Sequence, residues 1–190
     1  MKHFYQWMFD GTFDEGWSVG APESKGARSV SVWEFSKGKF FDTDGVSLRC
    51  AIEYGTKITN VCFSSFSVIH VRSRLAIALS EMLGDQVQLI PIELEGCQDD
   101  VYILNILNIV DCIDESESIG QKWEVGNTQR PDKAGMYMHL IKMVIDPGRT
   151  VGLSILRPWG WSLSVVVSEE VKNTIEGIGA VGTKFLRVSK

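Results

Sequence analysis

The sequence predicts an α+β fold: a mostly antiparallel or mixed sheet with two principal amphipathic helices, at about 70–83 and 168–178. Strand-like runs recur along the chain, and only these two stretches carry strong helical periodicity. Both also share one grammar, an amphipathic helix, a glycine break and a short strand, in Ser73 to Leu94 and again in Ser168 to Val188. No fixed period recurs elsewhere, so this reads as one supersecondary unit used twice, not as a repeat array.

The opening segment, 1–60, reads as β-rich. Phe4 to Phe9 runs into Asp10-Gly11, and Phe40-Phe41 into Asp44-Gly45; Asp-Gly favours the positive-φ turn that joins two strands. Gly16 to Ala27 is rich in Gly, Pro and Ser and predicts an exposed loop. From Val71 the spacing turns helical, with Leu75, Ala78, Leu79, Met82 and Leu83 on the same stripe and Gly84 placed to end the helix. Val87 to Leu94 is the next strand. Val101 to about Ile113 is apolar on both faces except at Asn105, Asn108 and Asp111, which predicts one long central strand. Met136 to Ile145 and Trp161 to Val167 are further strands. Ser168 is then an N-cap, Glu169 and Glu170 complement the helix dipole, and Val171, Ile175 and Ile178 form the buried stripe. Thr183 to Val188 is the last strand.

The chain has 190 residues, 44% apolar and 23% charged, which predicts a single domain over 1–190 with a core that needs neither metal nor disulfide. No apolar run approaches the roughly 18 to 20 residues of a membrane span. The start, Met1 to Trp7, lacks a secretory h-region, so a cytoplasmic location is expected. Cys50, Cys62, Cys97 and Cys112 form no C-x-x-C pair, which predicts free, mostly buried thiols. His3, His70 and His139 lie far apart.

The net charge is −5, unevenly spread. Leu75 to Gln121 holds ten acids (Glu81, Asp85, Glu93, Glu95, Asp99, Asp100, Asp111, Asp114, Glu115 and Glu117) and no lysine or arginine, while the rest carries 19 bases against 14 acids. Such a block disfavours nucleic acid and would steer a basic partner, although solvated acidic loops give the same count.

Gly177 to Gly182 spells G-x-G-x-x-G, but these glycines follow a helix instead of opening one, so they read as a helix end and turn. Asp42 to Gly45 resembles part of a calcium loop but places Phe40 and Ala51 at ligand positions, so it reads as a turn. Asp111, Asp114, Glu115 and Glu117 have no histidine or phosphate loop beside them. No catalytic, metal or cofactor site is therefore assigned. In Arg157-Pro158-Trp159-Gly160-Trp161, two large aromatics stand in a loop entering a strand, and Trp159 is a candidate contact.

Three stretches, Asp85 to Leu94, Val101 to Asp111 and Val167 to Val171 with the terminal Gly182 to Phe185, together resemble the eleventh immunity-protein family of bacterial polymorphic toxin systems. The resemblance covers about Val68 to Val188. It implies a cytoplasmic antitoxin that binds and blocks a cognate toxin domain, expected to be basic and nuclease-like, and it carries over no catalytic residue. The acidic block suits that role. The expected contacts are Asp99, Asp100, Asp114, Glu115 and Glu117 around Trp159, with no nucleic acid, membrane or cofactor involved. Two other classes remain open. One is a hydrolase assembled by folding from Asp111 or Asp114 with His139; the other is a module that self-associates through an exposed strand.

Overall fold

The structure, a computed structural model, describes residues 2–12, 15–26, 28–57 and 59–190. Its strands are β1 (Phe4–Phe9), β2 (Ser18–Val19), β3 (Glu23–Ser24), β4 (Leu48–Cys50), β5 (Ile52–Tyr54), β6 (Val61–Ser64), β7 (Val68–Arg72), β8 (Val87–Leu94), β9 (Val101–Ile106), β10 (Ile109–Val110), β11 (Ile119–Lys122), β12 (Tyr137–Lys142), β13 (Ile155–Pro158), β14 (Val165–Ser168) and β15 (Thr183–Arg187). The α-helices are α1 (Ser73–Leu83) and α2 (Glu169–Gly177). Two sheets dominate, in the orders β3-β4-β8-β9-β7-β6 and β10-β13-β14-β1-β15, with two-stranded pairings β11-β12 and β2-β5 beside them. Within the two large sheets β4–β8 and β10–β13 are parallel and the remaining pairs antiparallel, so the class is α+β with mixed sheets.

The shared helix-glycine-strand grammar has a topological meaning. In one sheet β7 and β8 run parallel, linked by α1, with β9 inserted antiparallel between them. In the other β14 and β15 run parallel, linked by α2, with β1 inserted. The orders β8-β9-β7-β6 and β15-β1-β14-β13 correspond strand for strand. The inserted strand follows its unit in the first case and comes from the other end of the chain in the second. The second unit is thus the first one circularly permuted through the termini.

Both helices face a shared core. Ile69, Val71, Leu104 and Ile106 from one sheet and Trp7, Ile155, Val165 and Val167 from the other close around Leu75, Leu79, Leu83, Val171 and Ile175. The far face of the first sheet is covered by the opening segment, where Trp17, Val19, Phe35 and Phe41 pack on Leu48, Ile90, Ile92 and Ile103. The far face of the second is covered by Cys112, Ile113, Met143 and Ile145, packed on Phe4, Leu156, Val166 and Val188.

Helix α2 starts as expected: Ser168 accepts the Val171 N–H at 3.4 Å, and Glu169 and Glu170 occupy the first turn. Helix α1 starts three residues later than expected, because His70, Val71 and Arg72 extend the β7 ladder to β9. Its buried face is Leu75, Ala76, Leu79 and Leu83, and Gly84 at φ 53 closes it through its N–H to Ser80 O.

Several expectations are corrected. The stretch 16–26 is not an exposed loop: Trp17 and Val19 are buried and β2 and β3 form there, while Ala27 lies outside the described residues. Neither Asp-Gly step makes a hairpin, since β1 pairs with β14 and β15, and Phe40-Phe41 is not in a strand. Phe41 instead docks on β8 through two hydrogen bonds with Gln88, its N–H donating at 2.8 Å and its carbonyl accepting at 2.7 Å. The expected strand from Val101 to Ile113 breaks after Ile106. There the chain leaves one sheet for the other, and buried Asn105 donates to Lys39 O and Gln88 Oε1, both at 3.0 Å. Trp161–Ser164 is a turn, and Arg157-Pro158 belongs to strand β13. Cys50, Cys62, Cys97 and Cys112 are free, and only Cys97 is partly exposed. Among the described residues no helix is long and apolar enough to cross a membrane.

Candidate functional site

The acidic block does not stay unpaired in space. Six of its ten acids meet bases from outside it: Glu93 with Lys25, Glu95 with Arg49 at 3.3 Å, Asp99 with Arg72 at 2.6 Å, Asp111 with Arg149 at 4.0 Å, Glu115 with Lys122 at 2.5 Å, and Glu117 with Lys190 at 2.8 Å. Exposed pairs of this kind add at most about 1 kcal/mol each. Their main effect is to cancel field that the linear count suggested. Among the described residues Glu81, Asp85, Asp100 and Asp114 make no ion pair.

Asp99 and Asp100 share the loop between β8 and β9, at a groove of about 580 Å³. Its floor is apolar, built from Phe41, Val46, Leu48, Ile90, Ile92 and Val101, and Glu93, Asp99 and Asp100 stand around it. The loop is anchored at both residues: Arg72 at the end of β7 donates to Asp99 Oδ2, and Ser73 N–H at the start of α1 donates to Asp100 O at 3.1 Å. The Asp100 carboxylate itself is exposed.

Asp114, Glu115 and Glu117 belong to the turn between β10 and β11, beside the other sheet. Asp114 accepts from Ser116 Oγ at 2.6 Å and Ser116 N–H at 3.0 Å, and the Ser116 hydroxyl, first, holds its carboxyl below the usual range. Glu117 lines a separate cavity of about 380 Å³ with Gln6, Leu140, Lys142, Arg187 and Lys190. Trp159, 42% exposed, lines a third, of about 350 Å³. The structure therefore groups Asp99 with Asp100 and groups Asp114 with Glu115 and Glu117. Trp159 lines the third cavity with Tyr137, and its backbone N–H donates to Val110 O at 2.7 Å.

Two buried groups escaped the sequence reading. His70, on β7, is buried with its Nε2 3.0 Å from Ser64 Oγ and its Nδ1 without a partner; burial pushes its pKa down to about 4. Arg157 is fully buried in β13, donating to Ser162 O at 2.7 Å and Ser67 O at 2.9 Å, and burial lowers its pKa to about 10. Isolated charged and polar letters give no sign of burial unless the strand register is known. The register is legible in the alternation Ile155, Arg157 only once β13 is recognised as a strand.

His139 is exposed on β12, and among the described residues no hydrogen bond or ion pair joins it to Asp111 or Asp114. Nor do the described residues hold a cluster of three metal-ligating side chains. No protein-family model matches the chain, and no curated protein matches it.

Proposed function

We propose that this chain is an immunity-type binding protein that neutralises a cognate toxin domain by covering its active site. The observation that carries the reading is the groove beneath the β8–β9 loop. An apolar floor with carboxylates around it suits lysine and arginine side chains, whose stems lie on hydrocarbon while their heads meet acid. Asp100 is the favoured contact, because among the described residues its exposed carboxylate makes no ion pair, and Asp99 supports it through Arg72. A specific interface buries about 1,600 Å² in total, far more than one groove, and a few anchors dominate it. The resemblance across Val68 to Val188 supports the same reading and brings a cytoplasmic location with it. In this reading Asp114, Glu115, Glu117 and Trp159 contribute only where the partner extends past the groove.

Co-expression with the product of the adjacent gene tests this. Survival of cells that the toxin domain otherwise kills, together with co-purification of the two proteins, is the expected outcome. Absence of both overturns the proposal.

A further inference from the structure

Four of the chain's six tryptophans converge on one cavity. Trp33, Trp123, Trp159 and Trp161 line the space of about 350 Å³ between the β11–β12 hairpin and the turn after β13, with Ile109, Met136, Tyr137 and Met138. The size and the mainly apolar, aromatic lining are those of a small-molecule pocket. Among the described residues the one charged group in the lining is Lys133, whose Nζ lies 5.9 Å from the Trp123 ring centre. Among the described residues no carboxylate lines it.

The walls are held by an unusual device. Trp33 packs on Phe66 with ring centres 3.9 Å apart. Phe66 and the next residue, Ser67, lie at φ 60 and 55, a left-handed conformation that side chains other than glycine seldom adopt and almost never in succession. Buried Arg157 holds that turn through Ser67 O and, with its other arm, holds the opposite wall through Ser162 O. Among the described residues the guanidinium has no carboxylate partner, and its two hydrogen bonds go to backbone carbonyls. It fixes the distance between the loop that supports Trp33 and the loop that carries Trp161 and Leu163. The backbone that carries Trp159 is fixed separately, its amide N–H donating to Val110 O at 2.7 Å. Strain pinned by a buried group is a mark of a preorganised site.

We propose that this pocket binds a planar aromatic monoanion, an aryl carboxylate or a compound of similar shape, with its ring against the indoles and its anionic group at Lys133. Indole faces favour stacked or edge-on aromatic rings. An aromatic cage for a cationic ligand would be opposed here by the positive charge of Lys133, with no acid among the described lining residues to offset it. The proposal is independent of the acidic groove, which belongs to a different loop.

Isothermal titration of the purified full chain with 2-naphthoate tests it, with 2-naphthalenemethanol as the neutral analogue. Saturable one-to-one binding is expected, weakened roughly tenfold or more in Trp159→Ala and in Trp123→Ala. Lys133→Met should weaken naphthoate severalfold and leave the neutral analogue unchanged. Trp159 is half exposed, so its truncation leaves the core intact, and an unchanged far-ultraviolet circular dichroism spectrum verifies that. Absence of saturable binding, or equal binding by the wild type and both tryptophan variants, overturns the proposal. Equal binding of acid and alcohol that Lys133→Met does not alter overturns the anionic assignment. If naphthoate fails to bind while Trp159→Ala abolishes capture of the adjacent-gene product, the pocket is a protein anchor and the small-molecule reading falls.

Discussion

Arg157 and Ser67 stand 90 residues apart in the chain, and the buried guanidinium of one donates to the carbonyl of the other at 2.9 Å. This bond joins the five-stranded sheet to the turn that leads into β7 of the six-stranded sheet. It also holds Ser67 and Phe66 in a left-handed conformation that costs about 1–3 kcal/mol per residue.

Removing the guanidinium should therefore be expensive in proportion to what it leaves behind. Arg157→Ala abandons two carbonyls and opens a cavity, and is expected to lower stability by about 3–5 kcal/mol in urea denaturation. Ser67→Gly relieves backbone strain at one residue and is expected to raise stability by up to about 1 kcal/mol. A neutral Arg157→Ala and a destabilising Ser67→Gly would together contradict the clamp.

His70 makes stability depend on pH. Its folded pKa of about 4 lies below the ordinary value of 6.5, because burial disfavours the charged ring. Between these two values the unfolded chain binds the extra proton, so the contribution is fully present above pH 6.5 and is lost as pH falls toward 4. The total is about 3 kcal/mol. Comparing wild type with His70→Gln across that window isolates the slope, which should flatten in the variant. Equal slopes would place the effect elsewhere.

The circular relation between the two units predicts tolerance to permutation. Val188 N–H donates to Phe4 O at 3.0 Å, so β15 leads to β1 much as β8 leads to β9. Joining the chain ends through a short Gly-Ser linker and opening the chain at exposed Gly96, between β8 and β9, exchanges the roles of the two units. The permutant should unfold cooperatively, within about 2 kcal/mol of the parent. A permutant without a cooperative transition would contradict the equivalence.

Local patterns recovered the elements whose signals are local. Ser168 with Glu169 and Glu170, the stripe through Leu75 and Leu79, and the whole of β8 were legible because capping and periodicity act within a few residues. What failed was decided at long range. Val71 suits either a helix stripe or a ladder, and its pairing with Tyr102 decided for the ladder. The long apolar run through Asn105 had no local sign that its two ends serve different sheets. The charge block misled for the same reason: Lys25, Arg49, Arg72, Arg149 and Lys190 are remote or flanking in sequence but adjacent in space to its acids. Of the expected contacts, Asp99 and Asp100 come together because they are neighbours in the chain, whereas the distance in the fold from either to Trp159 could not be read from spacing.

If the groove beside Asp99 and Asp100 receives a basic partner, as we propose, reversing the Asp100 charge must weaken the complex. The most direct measurement is the affinity of the adjacent-gene toxin domain for wild type, Asp100→Lys and, as a control on the other sheet, Glu115→Lys. Asp100→Lys is expected to weaken binding at least tenfold, chiefly by slowing association, while Glu115→Lys has a much smaller effect. Tight wild-type binding that Asp100→Lys leaves unchanged would place the partner elsewhere and overturn the groove as its site.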